Sequence, residues 1–165
     1  MYDWIQSTEY ATWVRESWGW PYALALHAFG NAIVVSFSFI IFMRILGLFK
    51  TIPFTALNKL IPIMWWAILL QAYSGFTLWA SKPGRYMSDG MFEWKFSLVI
   101  LGIIITYYFQ KTLDRETGHW NQTGKVSTYG FRIVAVTALV WAAVLVAGRL
   151  TAYLGQLYHL SLIHI

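Results

Sequence analysis

The chain has no cysteine and few charged residues, and both absences narrow what it can be. Without cysteine it can form no disulfide, iron–sulfur cluster or thiolate metal site, and it has no cysteine nucleophile. Charged residues make up only 12% of the 165 residues, while hydrophobic residues make up 58%. A soluble domain carries about 25% charged residues. The composition therefore indicates a protein that faces lipid.

Four long apolar segments predict four transmembrane helices. About 20 apolar residues cross a hydrocarbon layer of ~30 Å, so four crossings use about half of the chain and leave short loops. Two prolines, Pro21 and Pro62, stand where a first helical turn needs no N–H donor. The predicted helices cover residues 20–48, 60–80, 92–113 and 127–153. We expect an all-α membrane protein whose residues 1–165 form a single four-helix transmembrane bundle.

Two further segments flank the predicted spans. Residues 7–18 alternate acids with aromatics and predict a short interfacial helix, with Tyr10, Trp13 and Val14 toward lipid. The N-terminal segment lacks a basic stretch followed by an apolar run, so we expect no cleavable signal peptide, and the first span should direct insertion. Residues 155–165 are apolar but too short to cross a membrane, so they should lie on the outer surface or against a partner.

The net charge of +5 comes from single Lys and Arg residues rather than from a basic patch, so we expect no nucleic-acid partner. The first and third loops hold Arg44, Lys50, Lys59, Lys111, Arg115, Lys125 and Arg132, against Arg15, Lys82, Arg85, Lys95 and Arg149 on the other side. The positive-inside rule then places those two loops in the cytoplasm and both termini outside. The acids fall outside the predicted helix cores, which leaves no carboxylate relay and no metal cluster.

Each predicted helix carries one stripe of polar and small residues, which we expect to face the inside of the bundle. A polar side chain in hydrocarbon needs a partner, and small residues let neighbouring helices approach closely. The stripes are His27, Gly30, Asn31, Val34 and Ser38; Ala67, Gln71, Ser74, Gly75 and Leu78; Lys95, Gly102 and Thr106; and Val134, Thr137, Trp141 and Gly148. Because chain direction alternates, the candidate site lies in the outer half and comprises His27, Asn31, Gln71, Lys95 and Arg149.

His27 has two interpretations. It could be an axial ligand of one haem b, with Lys95 or Arg149 pairing with a propionate. A pair of bis-histidine haems would need four inward histidines, and only His27 lies within a predicted helix core. The candidate second ligands are Met64, Lys95, His159 and His164. Alternatively, His27 hydrogen-bonds Gln71, Asn31 or a carbonyl and only holds the helices together.

Other site chemistry finds less support in the sequence. The same polar groups could bind the two carbonyls of a quinone, with interfacial tryptophans beside its ring. No Ser-His-Asp arrangement and no Gly-rich phosphate loop is present. We therefore expect no catalytic activity from the chain alone.

Short motifs give the chain a family resemblance. They are residues 16–21 (ESWGWP), 26–30 (LHAFG), 44–48 (RILGL) and 92–95 (FEWK). In these motifs the chain resembles small bacterial four-helix membrane proteins of uncharacterised function, and more distantly copper-resistance D and cytochrome b-type bundles. Phe42 stands where that family has Asp, so a carboxylate paired with Arg44 is missing. The resemblance implies the bacterial inner membrane, singles out His27 and Lys95, and implies no established reaction.

The leading functional hypothesis is an integral membrane subunit of a larger respiratory or redox complex. Such a subunit would act as scaffold or electron-transfer component, because four spans leave little chain for a separate active domain. Its partners would be the lipid bilayer and other membrane protein subunits. The alternatives are an autonomous membrane cytochrome b with one haem at His27 and an outer-side quinone-binding protein.

Overall fold

The computed structural model describes residues 3–87 and 90–163, with backbone alone for residues 3, 85, 90, 91 and 151–163. Its helices are α1 (Asp3–Gln6), α2 (Glu9–Glu16), α3 (Gly19–Ile45), α4 (Leu60–Ser81), α5 (Pro83–Met87), α6 (Gly90–Thr123) and α7 (Thr128–Ile163), and a 3-10 helix, Phe54–Lys59, precedes α4. Four segments are long and apolar enough to cross a membrane: α3, the 3-10 helix with α4, α6 and α7. The all-α four-helix membrane bundle is thus confirmed.

The first spanning helix ends earlier than its apolar sequence predicts. It stops at Ile45 rather than at residue 48, because Gly47 adopts a left-handed conformation with φ of 95°. The Gly47 N–H donates to the Arg44 carbonyl and the Leu48 N–H donates to the Met43 carbonyl. These two bonds form a Schellman motif, which satisfies carbonyls that the helix end would leave unpaired.

The third spanning helix is longer than expected. It continues to Thr123 instead of ending near residue 113, so the polar stretch expected to be a loop is helical. Leu113, Thr117 and Trp120 are buried at helical spacing, and α6 packs there against the 3-10 helix. The helical backbone of α7 likewise passes residue 153 and reaches Ile163.

The N-terminal helix α2 packs on the bundle rather than turning Val14 to lipid. Val14 and Ala11 are fully buried, and α2 contacts α3 and α4. The Tyr10 hydroxyl lies 2.6 Å from the Thr77 hydroxyl of α4, while Trp13 stays exposed. The expectation of a short helix at this place is confirmed, and the expected direction of Val14 was wrong.

The spanning helices pack in the order α4, α3, α7, α6. None of the residues in the predicted inward stripes is exposed, so each helix presents the face that the sequence indicated. The closest approach joins α3 and α4 at Gly30, where a Cβ atom would lie 2.9 Å from the Ala67 carbonyl oxygen. Glycine at this position therefore allows direct backbone contact between the two helices.

We call the end of the bundle with the connections 46–53 and 124–127 the inner end, following the predicted orientation. Here Asn121 of α6 accepts a hydrogen bond from the Phe54 N–H at 2.6 Å and donates one to the Thr55 hydroxyl at 3.0 Å. The Phe54 ring meets Trp120 edge to face at 5.7 Å, and the Arg44 guanidinium lies 3.9 Å from its centroid on the other side. These contacts tie the start of the 3-10 helix to α3 and α6.

Replacing Gly30 with alanine should destabilise the bundle by about 1–3 kcal/mol, since the methyl group would push α3 away from α4. Gly118→Ala is the matched control, because Gly118 also lies within a helix and has no neighbour within 4 Å of the added Cβ. That variant should be neutral or more stable by about 0.5–1 kcal/mol. Thermal unfolding of the full chain in detergent measures both, and equal midpoints would contradict the close approach at Gly30.

Candidate functional site

His27 of α3 is bound to α4 through Ser74. The ring atom Nδ1 lies 3.1 Å from the Ser74 hydroxyl, which itself donates to the Leu70 carbonyl at 2.8 Å. Because the hydroxyl proton is used in that second bond, the pair is satisfied when Nδ1 carries a proton and donates it to Ser74. In the neutral form of His27 that makes this bond, the lone pair lies on Nε2.

The His27 ring also packs directly on the backbone of α4. A Cβ atom at Gly75 would lie 3.4 Å from the ring atom Cε1, so the ring occupies the space beside this glycine. His27 therefore joins α3 to α4 by a hydrogen bond and by close packing.

Gln71 and Asn31 lie near this junction in different ways. Gln71 is buried, and its Cγ atom would lie 3.4 Å from a Cβ atom at Gly30. Asn31 is half-buried, and its Oδ1 atom has no hydrogen-bond donor among the described residues. Leaving such an acceptor unpaired costs about 1–3 kcal/mol. Gln71 belongs to the His27 junction, whereas Asn31 retains a free acceptor one turn further along α3.

Lys95 approaches the same region from α6. Its side chain is half-buried, with Nζ at 3.5 Å from the position of a Cβ atom on Gly148 of α7, and it lies within electrostatic range of His27. Among the described side chains no carboxylate forms an ion pair with Lys95. Arg149 is exposed and does not join it. The structure thus brings together His27, Gln71 and Lys95 and leaves Arg149 outside.

A second junction repeats the arrangement between α6 and α7. The Trp141 Nε1–H donates to the Thr106 hydroxyl at 2.9 Å, and that hydroxyl donates to the Gly102 carbonyl at 2.7 Å. The indole ring lies 3.1 Å from the position of a Cβ atom on Gly102. The α3–α4 pair and the α6–α7 pair are therefore each joined by a ring N–H that donates to a hydroxyl group. In both pairs the hydroxyl also bonds its own helix, and a glycine lies under the ring.

Sequence reasoning placed Ser74 on the inward face but did not identify it as the partner of His27. Equal depth could have found it: His27 lies seven residues past Trp20 and Ser74 lies seven residues before Ser81. Each interval is about 10 Å along a helix, and the two helices run in opposite directions. The Trp141–Thr106 bond was also missed, since two inward stripes alone do not give side-chain partners.

The contacts of His27 favour the packing interpretation over haem ligation. The ring lies against Gly75, and α3 touches α4 one turn away at Gly30, so a macrocycle has no space on the side of the ring that faces α4. Met64 is buried ten residues from Ser74, about 15 Å along α4, which is too far to share one iron atom with His27. The side chains of His159 and His164 lie outside the described residues.

A quinone carbonyl would find fewer hydrogen-bond donors in this cluster than the sequence predicts. The Nδ1 proton of His27 already binds Ser74, and Nε2 is an acceptor in that tautomer. Lys95 and the side-chain amides of Gln71 and Asn31 remain as donors of this cluster, while Arg149 is exposed. With His27 and Arg149 removed from the set of donors, the arrangement gives weaker support to a quinone than to a carboxylate that pairs with Lys95.

The hydrogen bond between His27 and Ser74 should appear as coupling between two substitutions. We expect His27→Ala and Ser74→Ala to be less destabilising together than the sum of the single effects, by about 0.6–1.7 kcal/mol. His27→Ala combined with Thr137→Val, on α7, is the additive control. Unfolding free energies of the purified variants measure the coupling, and strict additivity for His27 and Ser74 would contradict the bond.

Comparison with known proteins gives no further information on this site, so its interpretation rests on the geometry. No family model, curated protein or solved structure matches the chain. The likeness to small bacterial four-helix membrane proteins therefore stays a resemblance of short motifs. His27 and Lys95, which those motifs single out, do lie within electrostatic range of each other.

Proposed function

We propose that the chain is an integral membrane subunit that works inside a larger membrane complex, of a respiratory or redox kind, without catalytic activity of its own. The observation that carries the proposal is Lys95, a half-buried ammonium group on the inward face of a spanning helix. The described side chains offer it no carboxylate. Ionisable groups at membrane depth are costly, face protein or a cavity, and usually pair with another group. A carboxylate of a partner subunit would complete this pair.

The packing of the helices supports entry of such a partner between α4 and α6. The other three sides of the bundle are packed along their lengths, whereas within the described residues α4 and α6 scarcely approach each other. A hydrogen bond of 2.8 Å joins Trp65 Nε1 to Gln110 toward the inner end, and the 3-10 helix also packs on α6 there. The looser part of this side is the outer half, at the level of Lys95.

The orientation belongs to the same proposal: the chain lies in the bacterial inner membrane with the inner end in the cytoplasm. Support comes from the seven basic residues counted within and around the first and third loops, against five on the other side. Arg44 lies in the last turn of α3 and Lys50 lies in the connection that follows, where such charges oppose translocation.

The charge on Lys95 should determine assembly. After gentle solubilisation, we expect the wild-type chain to migrate with other membrane polypeptides, and Lys95→Met to lose about 5- to 30-fold of that association. Lys95→Arg keeps the charge and should retain most of it. Native electrophoresis followed by identification of the bands measures the association. A wild-type chain that migrates alone, or a Lys95→Met variant that assembles normally, would contradict the proposal.

The purified chain should show no Soret band, because His27 is used in the junction with Ser74 and Gly75 of α4. Absorbance spectra and a pyridine haemochrome assay on the wild type and His27→Ala provide the measurement. A stoichiometric band in the wild type that disappears in His27→Ala would establish the autonomous cytochrome instead.

The orientation can be measured with engineered cysteines, since the chain has none of its own. Ser7→Cys and Gln122→Cys place one exposed thiol at each end of the bundle. A membrane-impermeant maleimide applied to intact spheroplasts should label Ser7→Cys at once and Gln122→Cys only after permeabilisation. The reverse order of labelling would overturn the proposed orientation.

A further inference from the structure

A cavity of about 710 Å³ opens at the inner end, between the end of α3, the 46–53 connection and the start of α7. Three cationic side chains line it, Arg44, Lys50 and Lys125, together with the hydroxyl groups of Ser127 and Thr128. None of its lining residues is acidic. Cations that surround a concave surface focus positive potential into it. The cavity is therefore suited to an anion.

Arg44 provides a fixed cation in the wall of this cavity. The side chain is 9% exposed, its Nε–H donates to the Ile52 carbonyl at 2.6 Å, and its guanidinium lies 3.9 Å from the Phe54 ring centroid. Carbonyl and ring contacts hold the guanidinium in place but do not neutralise it. Its Nη1 atom has no acceptor among the described residues, so donors remain for a ligand.

None of the described residues pairs a carboxylate with Arg44. Phe42, two residues before Arg44 on α3, packs against Phe131 of α7 with ring centroids 6.1 Å apart. Glu116 of α6 is already bound to the Ser127 hydroxyl and to Arg115 at 2.8 Å. The positive charge of the cavity is thus left for something outside the chain.

The surroundings of the cavity place it at the boundary between lipid and water. Leu46, Leu48 and Phe49 of the adjoining connection are each about half exposed, which suits contact with acyl chains rather than with water. The cavity wall also includes the apolar side chains of Ile45 and Phe131. A ligand here would meet cations and hydroxyl groups at one end and apolar side chains at the other.

We propose that this cavity binds the phosphate of an anionic lipid headgroup, with Arg44, Lys50 and Lys125 around the phosphate and the acyl chains beside the apolar wall. Lysine and arginine both bind phosphate, the guanidinium through paired N–H donors. This site is independent of the proposed assembly through Lys95, which concerns the other half of the bundle.

The test compares lipids bound to the purified full chain by native mass spectrometry in detergent. Equal amounts of phosphatidylglycerol and phosphatidylcholine with matched acyl chains are added. We expect phosphatidylglycerol to be retained preferentially by the wild type. Each basic residue near an anionic lipid raises affinity about fivefold, so Lys50→Gln combined with Lys125→Gln should cost about 30-fold.

Lys59→Gln combined with Lys111→Gln is the matched control, because both lysines are exposed and neither lines the cavity. This variant should keep the preference, and both double variants should unfold at the wild-type temperature, since exposed lysines contribute little to the fold. No preference in the wild type, or the same loss in the control, would overturn the proposal.

A final arm separates the lipid from a soluble phosphate compound. A large excess of inorganic phosphate should leave the bound phosphatidylglycerol in place, because a free anion makes no contact with the apolar wall. Displacement of the lipid by inorganic phosphate at comparable affinity would assign the cavity to a soluble phosphate and overturn the lipid assignment.

Discussion

No water reaches the hydrocarbon layer of a membrane, so every polar group in a spanning helix must find its partner within protein. The bundle meets this requirement mostly with hydroxyl groups bonded to their own helix. Ser38, Thr106 and Thr137 each donate to the carbonyl four residues earlier, at 2.7 to 2.8 Å. Two such hydroxyls, Ser74 and Thr106, also accept from a ring N–H of the neighbouring helix. Satisfying these groups turns the four stripes inward and so determines the packing.

Much of this arrangement follows from sequence periodicity. The stripe containing His27, Gly30 and Val34 could be predicted because an apolar helix with one polar face has only one face that can turn inward. Side-chain partners could not be predicted, since a stripe gives a direction but no rotamer. The charged residues Lys111 and Glu116 led to the prediction of a loop in a segment that is part of α6. In the structure, Trp120 packs that segment against the 3-10 helix. The charged residues of this segment masked, in the sequence, the fact that the other face of the helix is buried.

Lys95 and Arg44 both lack a carboxylate partner within the described part of the chain, and they lie in opposite halves of the bundle. Lys95 is half-buried in the outer half, and Arg44 is buried at the inner end. The chain carries a net charge of +5, so it has few carboxylates with which to neutralise them. We interpret both as contacts for something outside the chain: a partner subunit at Lys95 and a lipid phosphate at Arg44.

Site-specific photo-crosslinking would test the missing partner most directly. A photoreactive residue at Val99, one helical turn beyond Lys95, should give a discrete product with another membrane polypeptide in native membranes. The same residue at Leu139, on the exposed face of α7, should give lipid adducts only. A product at Val99 that Leu139 does not give is the result we predict. If Val99 also gave only lipid adducts, no partner would lie beside Lys95, and the central claim would be contradicted.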